Sequence, residues 1–390
     1  MSLMFKILTY NNIAAAGLER LPRERYEIAS ELRQPDAILL RSFDLHGVEI
    51  PETVKAVGRA GAGVNNIPVA EYSKRGVPVF NTPGANANAV KELAIAGMLL
   101  AARNIPAAWD FARGLEGDDE AIHSQVEKGK KRFAGFELSG KTLGVLGLGA
   151  IGVRVANAAL SLGMEVVGFD PQLTVTSAWQ LSSSVRGAAT IDDLVAHADL
   201  ISLHIPLNGQ TRQIINGSRL EAAKNGAVLL NFSRAGVVDE SAVIGALDTG
   251  KLHAYVSDFA TRALLDHPRA IVLPHLGAST AEAEENCAVM VTEQVRDFLE
   301  NGTIQNSANF PDVVLPRGEG VRLAIANENV PGMVGQVSAA LAEANLNIVD
   351  LLNKSQGDYA YTLVDLNTEV PAETLARIRL IKGVLSARLI

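Results

Sequence analysis

The run Thr142-Leu143-Gly144-Val145-Leu146 passes directly into Gly147-Leu148-Gly149-Ala150-Ile151-Gly152, after which Val155, Ala156, Ala159 and Leu162 recur on one side of a helical segment. No other stretch of this chain restricts its fold so much. A strand that ends in a glycine turn and restarts as a helix is the opening unit of a doubly wound parallel sheet built to hold a dinucleotide. Gly147 permits the tight turn, Gly149 lets a pyrophosphate approach the backbone, and Gly152 lets helix and strand pack closely. Ala150 and Ile151 open the helix, whose free N–H groups attract phosphate charge. The next aliphatic run, Glu165 to Phe169, ends at Asp170. A carboxylate there accepts hydrogen bonds from the ribose hydroxyls of NAD and repels the 2′-phosphate of NADP. Pro171 and Gln172 follow, with no neighbouring arginine to bind that phosphate, so NAD is the expected cofactor.

The rest of the chain repeats this alternation. Phe5–Leu8, Ala37–Leu40, Ala56–Gly58 and Val77–Phe80 read as strands of one α/β layer. Thr142–Leu146, Glu165–Phe169, Leu200–Leu203, Ala227–Asn231, His253–Val256 and Ala270–Leu273 read as strands of a second. Between them a helical run from about Pro83 carries Val90, Leu93, Ala94, Gly97, Met98 and Ala101 on one face, and a further helix follows Ala281. Asn309–Gly320 holds two prolines and two glycines and reads as a linker. The last seventy or so residues run strand, helix, strand, strand, helix, strand, a ferredoxin-like βαββαβ order. The expected fold is therefore α/β, with two doubly wound Rossmann-type domains and a small C-terminal ferredoxin-like domain.

Composition narrows the partners. Lys and Arg number 35 against 43 Asp and Glu, a net charge of −8 with no long cationic stripe, which disfavours nucleic acid. The uncharged apolar stretch Leu93–Ala102 is far shorter than the roughly 20 residues that span a bilayer, so no membrane association is expected. Met1–Lys6 lacks the basic head, apolar run and cleavage site of a secretory leader, and a cytoplasmic protein is expected. The single Cys287 has no disulfide partner within the chain and reads as a core thiol. No metal-ligand pattern is found.

Several further motifs occur in a fixed order: Gly61-Ala62-Gly63-Val64-Asn65-Asn66-Ile67, Asn81-Thr82-Pro83-Gly84-Ala85-Asn86, His204-Ile205-Pro206-Leu207 with Thr211-Arg212, Asn231-Phe232-Ser233-Arg234-Ala235-Gly236, and Leu273-Pro274-His275-Leu276-Gly277-Ala278-Ser279-Thr280. With them the first three hundred residues resemble the D-isomer-specific 2-hydroxyacid dehydrogenases, and among these most of all the phosphoglycerate dehydrogenase branch. That resemblance implies NAD-dependent oxidation of D-3-phosphoglycerate to 3-phosphohydroxypyruvate, the first step of serine synthesis. Hydroxypyruvate or glyoxylate reduction is the alternative, and an NADH-sensing corepressor-like scaffold a second.

His275 is the expected acid/base, since a neutral imidazole suits removal of an alcohol proton, and Arg234 the expected ligand of substrate carboxylate and carbonyl. His204, Pro206, Thr211, Ser233, Asp258 and Gly277 take cofactor-binding positions by resemblance, Asp258 facing the nicotinamide amide. Ala62 and Gly63, with Asn86, take substrate-binding positions. Arg41, Ser42 and Arg59 follow strands and are candidates for the substrate phosphate. The basic cluster Lys128, Lys130, Lys131 and Arg132 is read mainly as solvated surface. One family feature is missing. The glutamate that pairs with the histidine falls near Arg262 or Ala263, and Asp266 is the nearest acidic substitute.

The C-terminal segment, with Val330-Pro331-Gly332-Met333 and Asn345-Leu346-Asn347-Ile348, resembles an ACT regulatory domain. That resemblance implies Asn329, Gly332 and Asn347 as positions for an amino-acid effector, possible L-serine binding, and a homodimer or homotetramer. The expected division is 1–97 with 284–311 as substrate-binding domain, 98–283 as NAD-binding domain, 312–320 as linker and 321–390 as ACT domain.

Overall fold

The computed structural model describes residues 4–390; Met1–Leu3, where the leader reading begins, lie outside the described residues. The chain divides into two compact units, Met1–Asn86 with Ala281–Ile390, and Ala87–Thr280. In the first, β1 (Phe5–Tyr10), β2 (Tyr26–Ala29), β3 (Ala37–Leu40), β4 (Ala56–Arg59) and β5 (Val79–Phe80) form a parallel sheet in the order β2-β1-β3-β4-β5. Strand β2 is absent from the sequence reading. It is a four-residue edge strand with Glu27 in it and one fully buried side chain, so it carries almost no apolar signal. The helix Ala281–Asn301 buries Cys287, Ala288, Val291 and Val295 against this sheet. Gly58 of β4 makes the approach possible, because a Cβ there would lie 2.7 Å from Val291. Burial raises the Cys287 thiol above its ordinary range, as befits a core residue.

The second unit holds β6 (Thr142–Leu146), β7 (Glu165–Phe169), β8 (Arg186–Gly187), β9 (Leu200–Leu203), β10 (Ala227–Asn231), β11 (Leu252–Ser257) and β12 (Ala270–Val272), all parallel, in the order β12-β11-β10-β9-β6-β7-β8. The two-residue edge strand β8 also escapes sequence reading. Chain order reverses between β6 and β9, and ligands of open α/β sheets bind at such a switch point, outside the carboxyl ends of the strands. The helix Ala87–Ala102 lies wholly in this unit and is unbroken across residue 97, where the sequence reading put a boundary. Its small-residue face explains the difference. Ala94, Met98 and Ala101 share a core with the helix Ala150–Ser161 and β10, and a Cβ on Gly97 would meet the Phe232 ring at 3.0 Å.

In the first unit the C-terminal segment forms an antiparallel sheet, β14-β15-β13-β16, from β13 (Val321–Glu328), β14 (Ile348–Gln356), β15 (Tyr359–Leu366) and β16 (Val384–Leu389). Helices Met333–Glu343 and Ala372–Arg379 complete the ferredoxin-like βαββαβ order. Strand alternation divides the residues between two faces. Leu323, Ile325 and Val364 pack with Val337, Leu341 and Ile378 of the helices, whereas Ala324, Ala326, Tyr361 and Leu363 join Phe80, Phe298 and Phe310 in the core of the parallel layer. The segment read as a linker is fastened down. Ile304 and Val313 form an antiparallel bridge, and the carbonyls of Leu315 and Pro316 accept hydrogen bonds from Arg322. Among the described residues, no helix is long and apolar enough to cross a membrane.

Candidate active site

The glycine turn occupies the switch point. Gly147 has φ +92°, and a Cβ on it would lie 2.4 Å from the His204 carbonyl oxygen at the end of β9. A Cβ on Gly152 would lie 1.9 Å from the Gly147 carbonyl oxygen, so the helix beginning at Ala150 depends on glycine there. Gly149 differs: among the described residues beyond its own chain neighbours, nothing lies within 4 Å of the position its Cβ would take. It is the N-cap of that helix and no side chain caps it, which leaves open space beside unsatisfied N–H groups, the surroundings a pyrophosphate requires.

Asp170 ends β7 and accepts hydrogen bonds from the backbone N–H groups of Leu148 and Gln172, each at 2.8 Å. The carboxylate is thereby locked onto the glycine turn, and since its two oxygens offer about four lone-pair positions, capacity remains for ribose hydroxyls. His204 is half-buried, with Nε2 2.9 Å from Ser202 Oγ and a buried Nδ1 without a partner among the described residues. Burial pushes its pKa down to about 4, so the ring is neutral at physiological pH. Thr211 donates to the Pro206 carbonyl at 2.6 Å and tethers the loop after β9.

Arg234, Asp258 and His275 follow β10, β11 and β12, neighbours in the sheet. Strands about 4.8 Å apart set these three turns in a row along one carboxyl edge, spanning about 10 Å. Buried Asn231 builds the first turn: its Oδ1 accepts from Ser233 N at 3.2 Å and Ser233 Oγ at 2.9 Å, while its Nδ2 donates to the Arg234 carbonyl at 3.0 Å. Arg234 is exposed and donates to the Ser233 carbonyl at 2.6 Å; no carboxylate pairs with it among the described residues. His275 is exposed too, and its ring stands edge-on to Phe259 with centroids 5.3 Å apart. Asp258 is 3% exposed. Burial pushes its carboxyl above the ordinary range, opposed by His275 and by the backbone N–H groups of Gly277 and Leu276.

This arrangement corrects the reading of Asp266. Arg262 starts a short helix capped by Thr261 and pairs with Asp266 at 3.5 Å, both side chains more than half exposed, whereas the carboxylate that acts electrostatically on His275 is Asp258. Ser202, Asn231 and Phe259 were missed as supporting residues. Asn231 was visible at the head of the Asn-Phe-Ser-Arg motif.

In the first unit, Arg41 pairs with Glu284 at 2.7 Å. Arg59 donates to the carbonyls of Arg41 at 3.1 Å and Gly63 at 2.8 Å, so it braces the turn that holds Ala62 and Gly63. Asn81 Nδ2 donates to the Ala62 carbonyl at 2.6 Å, and Asn86 carries a buried Oδ1 with no partner among the described residues. Ser42 is exposed. In the second unit, Lys130 pairs with Glu127 and Arg132 stacks over Phe111, uses consistent with a solvated surface cluster.

In the C-terminal sheet a cavity of about 280 Å³ is lined by Asn327, Asn329, Gly332 and Asn353 among others. Asn327 Oδ1 is buried there without a partner among the described residues. Asn347 is not part of it. It follows the C-terminal end of the helix Met333–Glu343, whereas Gly332 caps the N-terminal end, and 11 residues of helix separate the two by about 16 Å. Asn353, which the sequence reading missed, lines the cavity instead.

The family model for the D-isomer specific 2-hydroxyacid dehydrogenase NAD binding domain matches residues 95–277. A D-3-phosphoglycerate dehydrogenase from Haemophilus influenzae is 32% identical over 357 residues, 88% of this chain and 83% of that protein. The chain belongs to the D-isomer-specific 2-hydroxyacid dehydrogenase family. A D-3-phosphoglycerate dehydrogenase from Methanocaldococcus jannaschii is 34% identical over 87% of this chain, and the match spans 63% of that longer protein. Among solved structures, NAD+-bound 3-phosphoglycerate dehydrogenase from Entamoeba histolytica has a TM-score of 0.62 at 26% identity, covering 78% of this chain and 99% of that one. A glyoxylate reductase from Paecilomyes thermophila has a TM-score of 0.64 at 27% identity, covering 78% and 98%. The cofactor of this family member is NAD, and the glycine turn, the open space at Gly149 and Asp170 fit it.

Proposed function

We propose that this dehydrogenase oxidises D-3-phosphoglycerate to 3-phosphohydroxypyruvate, the step that opens serine synthesis. The observation that carries the reading is the row of turns bearing an unpaired Arg234, a buried Asp258 and an accessible His275 on adjacent strands. The glycine turn and Asp170 would hold NAD, which supplies a hydride acceptor when bound. Arg234 would grip the substrate carboxylate through charge-assisted, bidentate hydrogen bonds and polarise the oxygen at C2. His275 would take the hydroxyl proton, and Asp258 would stabilise the imidazolium that results. Phe259 restricts the ring's orientation from one side.

Phosphate recognition draws on Arg41 and Ser42, with Arg59 shaping the Ala62–Gly63 turn rather than contacting substrate. Arg41→Ala is expected to raise KM for 3-phosphohydroxypyruvate by about tenfold or more and to leave hydroxypyruvate unaffected. Equal effects on both substrates would remove the phosphate role. The engagement of Arg41 by Glu284 and of Arg59 by carbonyls favours a second reading, reduction of hydroxypyruvate or glyoxylate, and the same comparison separates the two. An amino-acid effector, L-serine foremost, is proposed for the cavity at Asn329 and Gly332. A homodimer or homotetramer in the cytoplasm completes the proposal, and light scattering and cell fractionation test it.

A further inference from the structure

The C-terminal sheet and the parallel layer of the first unit meet along a seam that is closed at Gly76 and open beside it. Gly76 has φ +68°, a Cβ on it would lie 2.7 Å from Ser386 Oγ, and Ser386 donates to its carbonyl at 3.2 Å. Next to this contact lies a cavity of about 440 Å³, within the size range of small-molecule sites. Four cations line it, Lys55 and Arg75 from the parallel layer and Arg379 and Arg388 from the C-terminal domain, with Glu52 the one acidic side chain among the described lining residues. In a chain of net charge −8, this is a concentrated positive site.

Ion pairs do not account for these cations. Lys55 is held by Asp36 at 2.6 Å, and the same carboxylate acts electrostatically on Arg388, but none of the three arginines has a carboxylate within ion-pair distance among the described residues. They meet backbone carbonyls instead: Arg75 those of Ile50 and Pro51, Arg379 that of Ala387 at 2.9 Å, and Arg388 those of Leu299 at 3.2 Å and Phe298, together with the Tyr361 hydroxyl. A guanidinium carries five N–H donors, so each keeps donors over after these bonds. The Arg388 guanidinium also lies over the Phe298 ring, 4.4 Å from its centroid, and Val54, Val77 and Val384 add apolar wall. A positive rim with an apolar floor takes an anion that has an organic body. Three arginines select a phosphoryl group, which accepts bidentate guanidinium hydrogen bonds and carries enough charge to offset several cations.

We propose that this seam binds a small organic phosphate that bridges the C-terminal domain to the parallel layer, at a site distinct from the glycine turn, from Arg41 and from the cavity at Asn329. The site rests on the cavity and its cations, independently of which hydroxy acid the enzyme oxidises. Because ligand contacts come from both layers, binding opposes their separation and stabilises the first unit.

The test is calorimetric titration of the full chain, held at saturating NAD and constant ionic strength with chloride, with phenyl phosphate and with inorganic phosphate. Saturable binding of phenyl phosphate is expected, about tenfold or more tighter than inorganic phosphate, with a rise in melting temperature. Arg379→Gln, at an exposed residue with a single carbonyl contact, is expected to weaken phenyl phosphate about tenfold or more, while Arg269→Gln, in the second unit and not among the lining residues, leaves it unchanged. Absence of saturable binding, or equal affinity in the native chain and Arg379→Gln, would overturn the site. Inorganic phosphate binding as tightly as phenyl phosphate would overturn the organic body.

Discussion

Asp365→Asn should cost the C-terminal domain about 3–5 kcal/mol, the range found when one partner of a buried ion pair is removed. Arg322 is 0% exposed and all five of its N–H donors are used: Nε and one Nη bond Asp365 at 2.6 and 2.7 Å, and the others bond the carbonyls of Asn301 and Leu315 at 3.0 and 2.9 Å and of Pro316 at 2.9 Å. The amide retains the shape of the carboxylate but turns a donor toward the guanidinium and leaves a full charge uncompensated away from water. A loss of this size is comparable to the stability margin of a whole domain. Urea unfolding, followed with hydrogen exchange at the amides of β13, should show the C-terminal sheet opening before the rest. Replacing both partners by apolar residues, Arg322→Met with Asp365→Leu, removes the uncompensated charge but deprives the carbonyls of Asn301, Leu315 and Pro316 of their donor, so it should recover only part of the loss. A cost below about 1 kcal/mol for Asp365→Asn would refute the claim that this buried pair, which joins β13 to β15, stabilises the C-terminal sheet.

Gly152→Ala drives a methyl into the Gly147 carbonyl and should weaken NAD binding about tenfold or more, read by NADH fluorescence titration, while the β13 amides keep their protection. His275→Asn should lower kcat by about 10²- to 10⁴-fold with NADH affinity unchanged, in steady-state assays paired with the same titration. His204 has a pKa of about 4 in the folded chain against 6.5 ordinarily, so the unfolded state binds the proton first as pH falls. Stability should therefore decline from pH 6.5 to 4 by up to roughly 3 kcal/mol from this residue. Denaturation at several pH values should show that decline flattened in His204→Gln.

How much of this was legible in the sequence follows from where the physical signal is local. The unbroken run from β6 through Gly152, the aliphatic strands and the carboxyl-edge motifs report their own neighbourhoods, so the parallel architecture, the cofactor turn and the positions of Arg234 and His275 could be read directly. Features set by distant contacts could not. Tyr26–Ala29 and Arg186–Gly187 are strands because a neighbouring strand pairs with them, and their side chains show little alternation. The reach of the helix Ala87–Ala102 into the second unit depends on Phe232, far along the chain. Arg322 gave no hint of being wholly buried, because its five acceptor atoms come from three separate segments, and the stretch that supplies two of them looks like a linker. Asp266 is the nearest acidic residue to the expected position on spacing alone, but it pairs with Arg262, and the buried carboxylate that His275 acts on is Asp258. Asn353 and Asn347 could be told apart as cavity residues only once the direction of the helix Met333–Glu343 was known.

The most direct test of the central claim is NADH oxidation by the purified chain with 3-phosphohydroxypyruvate and hydroxypyruvate side by side, each with and without L-serine. A kcat/KM at least about tenfold higher for the phosphorylated keto acid, abolished in His275→Asn, is the result this account predicts. NADH binding without turnover of either substrate would contradict it.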